Sequence, residues 1–342
     1  QSPSYTVFID SDGRTKARNE ATDTIDYTGT DAAAVLQRSI DALSKTGGLI
    51  TLKSGTYIWQ STPGLPRDLP NWLKIVGERG VTIQLTANGP RAFDFHKTAD
   101  YDTFQNIWLE GFSVDCNNVG GRHHVVIGSY VNGAGQANIN FNHLIVKNIK
   151  TVNVPVDSTM TNHRLNVFIS PRRTTGSLTI SDISIEDCDF QGGNQGVVVT
   201  SWDTTTSVYI DKVSINRVRH SLLNVQTSQF YSVHFHIGGG GRGGSCWVTD
   251  CYGEYSGDTG VEVDGMEDAI IQNVIIRDAI LPFCGYNFVA PERPSAQRMI
   301  FENCHSRIIS LRKDLQLTAF DFWNVNSVAL GSIYLKNCSA YN

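Results

Sequence analysis

The chain has 342 residues, with 28 Lys+Arg against 33 Asp+Glu, a formal net charge of −5, 40% apolar residues and 18% charged ones. A mildly acidic chain without a Lys/Arg block lacks the electrostatic footprint for gripping phosphate backbones or anionic lipid, which sets aside nucleic acid and membrane surfaces as partners. The apolar share supports a large core, charge is too sparse for a disordered or coiled-coil chain, and no apolar run approaches the roughly 20 residues of a bilayer span.

The first predicted element is a helix. Thr30-Asp31 can cap it, Leu36, Ile40 and Leu43 form one apolar stripe, and Lys45-Thr46-Gly47-Gly48 ends it after Leu43 or Ser44. A strand, a glycine turn and a second strand follow: Leu49–Leu52, Lys53-Ser54-Gly55 and Thr56–Ile58. From about Asn106 onward one pattern recurs: a short β-branched alternating strand, an Asn or Asp, another short strand, then a second Asn or Asp before an apolar residue. Leu178–Cys188, Val208–Val218 and Ala269–Ala279 are three copies.

Taking Asn142, Asp182, Asp211, Asp250, Asn273, Asn303 and Asn337 as successive corner residues, the copies are 23 to 40 residues apart. Periods of this size, built from strands alone, predict a β-solenoid in which each coil stacks on the last. Alternating Val and Ile point to a continuous core, while Asn and Asp suit left-handed corners and can hydrogen-bond the coil above. A solenoid needs its core end covered, and the amphipathic helix is the cap. Residues 1–105 are read as this cap with the first coils, and 106–342 as the remaining coils of one continuous domain.

Asp31-Ala-Ala-Ala-Val-Leu-Gln-Arg-Ser-Ile-Asp-Ala-Leu, Gly47-Gly-Leu-Ile-Thr-Leu, Lys53-Ser-Gly-Thr-Tyr and Leu73-Lys-Ile-Val-Gly-Glu resemble the opening of right-handed parallel β-helix proteins of the pectate lyase-like superfamily, and the resemblance covers essentially the whole chain. It implies an all-β, single-stranded right-handed parallel β-helix with a helical N-terminal cap, and a carbohydrate polymer as partner. The reaction stays open, because the superfamily holds lyases, hydrolases, epimerases and tailspike depolymerases. The sequence has no Asn-Thr-Asp with Gly-His-Gly as in polygalacturonases, no Asp-Pro-His as in mannuronan epimerases, and no Trp-Ile-Asp-His as in pectate lyases.

Each copy is followed by a third strand, and these strands should stack into one sheet bordered by long loops. They are read as Ala92–His96, Val125–Ser129, Leu165–Ser170, Gly196–Asp203, Leu222–Thr227, Gly260–Gly265, Tyr286–Ala290 and Ala319–Asn324. With Val197/Val199, Leu223/Val225, Val261/Val263 and Phe320/Phe322 facing in, Thr200/Trp202, Asn224/Gln226, Glu262/Asp264 and Asp321/Trp323 face out. Glu262 and Asp264 lie about 6.5 to 7 Å apart at the backbone, which fits the 6.5 to 9.5 Å of an inverting acid–base pair better than the 5 to 5.5 Å of a retaining one.

The expected enzyme is a secreted or virion-borne polysaccharide-degrading glycosidase, acting as a monomer or homotrimer. Its catalytic residues are Glu262 and Asp264, assisted by Asp203. Trp202 and Trp323 stack on sugar rings, and Asn224, Gln226, Asn287, Arg293 and Asp321 complete the substrate contacts. No cofactor is required.

The runner-up is a β-eliminating lyase on a uronic-acid glycan. There Glu262, Asp264 and Asp203 hold Ca²⁺, and the chemistry passes to Arg172, Arg173, Arg293, His123, His124, His163 or Arg164. A non-catalytic glycan-binding or tailspike-like protein is the third reading. His234-x-His236 has the spacing of two ligands on one strand but no third ligand in view, and such pairs are more often surface or core residues. Gly238–Gly244 lacks the Lys-Ser/Thr of a phosphate loop and reads as a loop bordering the cleft. Cys188, Cys251, Cys304 and Cys338 each follow a corner, as small buried apolar residues do. Cys246 and Cys251 are close enough in sequence to pair outside the cell.

Overall fold

In the computed structural model, residues 3–341 are described apart from 67, 88–90, 96–100, 120–123, 132–137, 157–163, 172–176, 202–206, 223–231, 240–241, 256–258, 278, 280, 288–297, 308–318 and 325–330. The strands of these residues form three sheets, of fourteen, seven and ten strands. Pairing is parallel from coil to coil; in the large sheet from Asn138 onward each strand is joined to one 23 to 39 residues further along. This is the right-handed parallel β-helix expected, its handedness following from strand twist.

Inside, alternate residues stack in continuous files. Ile139, Leu178 and Val208 follow one another in register, as do Leu144, Ile183, Val213 and Cys246. The described members are nearly inaccessible to solvent. Each such aliphatic side chain contributes about 1.5 to 3 kcal/mol through burial, so every coil adds its own share of core.

The cap is as read and larger. The helix Ala32–Leu43 is capped by Asp31, whose carboxylate accepts from the Ala33 amide at 3.1 Å, and it buries Leu36, Ile40 and Leu43. The same carboxylate also accepts from the Gln60 amide and the Ser61 hydroxyl, tying the cap to the first coils. Beside it an antiparallel hairpin, Ser4–Ile9 with Thr15–Asn19 and then Thr24–Gly29, closes that end of the large sheet.

The corner residues belong to two corners rather than one. His143, Asp182 and Lys212 take positive φ inside the long strands of the large sheet; Asn148, Asp187, Arg217, Asp250, Asn273, Asn303 and Asn337 do so at the following corner. Asn142 and Asp211 each sit one residue before a left-handed position. At the second corner side-chain amides link the coils. Asn273 Nδ2 donates to Asp250 Oδ1 at 2.8 Å, Asn303 to Asn273 at 3.0 Å, and Asn337 to Asn303 at 3.3 Å. All seven cysteines are free, Cys246 and Cys251 included, and all but Cys338 are buried. Burial pushes the thiols of Cys188, Cys251 and Cys304 up to about 12. Among the described residues no helix is long and apolar enough to cross a membrane.

Candidate active site

The seven-stranded sheet runs through His124–Val131, Arg164–Pro171, Gln195–Ser201, Val233–Gly239, Thr259–Asp264, Leu281–Asn287 and Phe320–Asn324. Three strands differ from the sequence reading. In the segment read as Ala92–His96, Phe93 makes only an isolated bridge to Ile127 and adds no strand to the sheet. The strand between Gln195–Ser201 and Thr259–Asp264 is Val233–Gly239, not Leu222–Thr227, and the sixth is Leu281–Asn287, not Tyr286–Ala290. The inward and outward sets of Thr259–Asp264 are as expected: Val261 and Val263 lie in the core, and Glu262 and Asp264 face the other way.

Register then assembles the site. His236 lies beside Glu262 on the next coil, Glu262 beside Cys284, and Cys284 beside Asp321. Asp264 lies between Gly238 and Tyr286. Gly238 has φ +123°, and a Cβ there would fall 1.9 Å from the Asp264 carbonyl oxygen. With no side chain in that position, the His236 imidazole can lean across to Asp264. Its Nε2 lies 2.8 Å from Asp264 Oδ2 and 3.9 Å from Glu262 Oε1.

His236 and Asp264 are buried, whereas the Glu262 side chain is 20% exposed and is the member of the trio that meets solvent. Burial alone would depress the His236 pKa. The charges of Glu262 and then Asp264, with the hydrogen bond that His236 donates to Asp264, outweigh it and raise the value to about 9. The imidazole is therefore a cation at neutral pH, facing two carboxylates. Asp264 Oδ1 is buried and has no hydrogen-bond partner. One ligand atom from each of His236, Glu262 and Asp264 falls within a 4.8 Å circle of mutual distances. The two carboxylates thus converge on the imidazole.

The two histidines of the His-x-His segment part company. His234 turns into the neighbouring corner, where its Nδ1 lies 2.7 Å from Nδ1 of His220, and His220 Nε2 lies 3.1 Å from the Gly192 carbonyl. A carbonyl only accepts, so His220 Nε2 carries a proton. Burial pushes the His220 pKa down to about 4 and that of His234 well below its usual value, keeping both neutral. His220 Nδ1 is then the acceptor and His234 Nδ1 the donor, which leaves His234 Nε2 as a buried acceptor with no hydrogen-bond partner. Beneath them Asn166 accepts from Thr151 and donates to the Gly192 and Gln195 carbonyls.

Of the other expected site residues, Asp321 is half-buried on the column of Glu262. Trp323 lies in register with Tyr286, and Asn287 with Asn324 at the strand end. Trp202, Asp203, Asn224, Gln226 and Arg293 lie outside the described residues, as do Arg172, Arg173, His123 and His163. His236, missed as a site residue, carried one signal: its His-x-His spacing.

No family model matches the chain. No curated protein matches it either. Solved structures do. The tailspike protein of Acinetobacter baumannii phage AM24 is 13% identical over 98% of this chain and 57% of its own, with a TM-score of 0.43. This chain thus spans a little over half of that protein's length. An endo-xylogalacturonan hydrolase from Aspergillus tubingensis is 8% identical over 98% and 92% of the two chains, with a TM-score of 0.42. The A-module of the Azotobacter vinelandii mannuronan C-5 epimerase AlgE4 is 14% identical over 91% and 92%, with a TM-score of 0.36.

Proposed function

We propose that this protein acts on a polysaccharide, outside the cell or on a virion, and cleaves it by hydrolysis along the outer face of the seven-stranded sheet. The observation that carries the reading is the column Glu262, Cys284, Asp321. Two coil steps of about 4.8 Å separate the backbones of Glu262 and Asp321 by about 9.6 Å. Side chains leaning toward each other bring the carboxyl groups into the roughly 6.5 to 9.5 Å window that admits a water opposite the leaving group. Both side chains are partly exposed, as a pair that must reach substrate requires.

Glu262 faces the His236 imidazolium and is assigned the base, a carboxylate drawing a proton from water. Asp321 is the acid that protonates the glycosidic oxygen. Asp264 becomes a positioning residue: it fixes the imidazole that in turn holds Glu262.

The test is incubation with a panel of neutral and uronic-acid polysaccharides, following reducing ends and absorbance near 235 nm together. New reducing ends without absorbance support hydrolysis, absorbance rising in step supports elimination, and binding without new chain ends supports a non-catalytic glycan-binding role.

A further inference from the structure

We infer that His236, Glu262 and Asp264 form a binding site for a divalent transition-metal ion such as Zn²⁺, Mn²⁺ or Co²⁺. The inference stands on the cluster itself and goes beyond the hydrolytic reading, although it shares Glu262 with it. Three observations carry it. The donor atoms, one imidazole nitrogen and two carboxylate oxygens, converge within 4.8 Å from two adjacent coils. Asp264 is nearly inaccessible to solvent, yet its Oδ1 has no hydrogen-bond partner, so a buried anionic oxygen is left with unsatisfied lone pairs, a costly arrangement that a cation relieves. Glu262 keeps an exposed edge, which is the entry path for an ion.

The geometry suits the ion class. A metal about 2.1 Å from each of two ligands, at octahedral or tetrahedral angles, holds them about 3.0 to 3.4 Å apart. The observed 2.8 Å from Nε2 to Asp264 and 3.9 Å to Glu262 straddle that range, and with all three atoms within 4.8 Å of one another, side-chain rotations that move the Glu262 carboxylate by about an ångström close the site. An imidazole with two carboxylates suits Zn²⁺ and Mn²⁺; Ca²⁺ wants six to eight oxygens and gains nothing from nitrogen. A metal and a proton are alternative occupants of the space between Nε2 and Asp264, and binding releases that proton to solvent. A loaded site ties up Glu262, so the ion is an inhibitor of hydrolysis rather than its cofactor.

The experiment is calorimetric titration of chelator-treated protein with Zn²⁺, Mn²⁺ and Ca²⁺, with Co²⁺ followed by visible absorption. Expected are one saturable site for Zn²⁺ and Co²⁺, ligand-field bands for Co²⁺, and markedly weaker Ca²⁺ binding. His236→Gln and Asp264→Asn should each weaken binding at least about 10- to 100-fold, in line with losing a ligand or its support. Glu262→Gln, at the solvent-facing edge of the cluster, tests the site where the other variants fold poorly; it should weaken binding while Asp321→Asn does not. Absence of saturable binding to millimolar metal, or unchanged affinity in Glu262→Gln and His236→Gln, overturns the inference. Reducing ends released by a protein that binds no metal would sink the metal site alone; metal binding with no chain cleavage on any glycan would sink the hydrolytic reading alone.

Discussion

Replacing His236 by Gln removes the cation between two carboxylates, and its effect on stability should depend on pH in a way no packing defect would reproduce. The folded-state pKa is about 9 against 6.5 for a free imidazole. Between those values the folded chain holds a proton that the unfolded chain has released, so stability falls as pH rises. Below 6.5 both states are protonated and the contribution is complete; above 9 it is gone. At about 1.4 kcal/mol per tenfold difference in proton affinity the contribution is about 3 kcal/mol. The variant lacks this dependence and keeps only a pH-independent offset from the altered packing. Urea unfolding of both proteins at pH 6, 8 and 10 should show their stability difference shrinking by about 3 kcal/mol across the series. A difference that stays constant, or grows toward pH 10, would refute the ion-pair description of this site.

Three further expectations follow from other parts of the structure. Glu262→Gln should lower glycan turnover by about 10²- to 10⁴-fold with an unchanged circular dichroism spectrum, and Asp321→Asn should do the same; reducing-end assays of the purified variants decide it, and full activity in either removes that residue from the chemistry. The neutral His220, with a folded pKa of about 4, acts in the opposite sense to His236. Its stabilisation is present above 6.5 and is lost as pH falls through 4, costing about 3 kcal/mol, to be read as a drop in thermal midpoint between pH 7 and pH 4 that a His220→Gln variant shows less steeply. Asn303 has φ +53° and links two coils; Asn303→Ala should cost about 1 to 3 kcal/mol by denaturant midpoint, and Asn303→Gly less, because glycine keeps the backbone and loses only the amide contacts.

The fold was legible because its signals are local. Ile180, Ile183 and Ile185 alternate around Asp182 within a few residues, and the helix carries its own cap and stripe. The corner file was blurred because a left-handed residue stands in both corners, and Asn142 or Asp211 reads as well as the neighbour that takes the conformation. The site was legible only in half. Glu262 and Asp264 are two apart on one strand, so their shared face follows from alternation alone. His236 reaches them only because one coil happens to take 26 residues to return, and nothing in the segment itself announces that length. Leu222-Leu-Asn-Val-Gln alternates as convincingly as His234-Phe-His-Ile, and the choice between them is made by which file of core residues each one continues.

The asparagine file at the second corner bears on how such a chain tolerates change. Links of 23, 30 and 34 residues all end on a side-chain amide hooked to the coil below, so the corner acts as a fixed stair and the treads between are free to differ in length. Residues can be inserted or removed between stairs without rotating the columns that carry Glu262 and Asp321. New loops can be grafted onto the protein while the register that sets Glu262 two coils from Asp321 stays put.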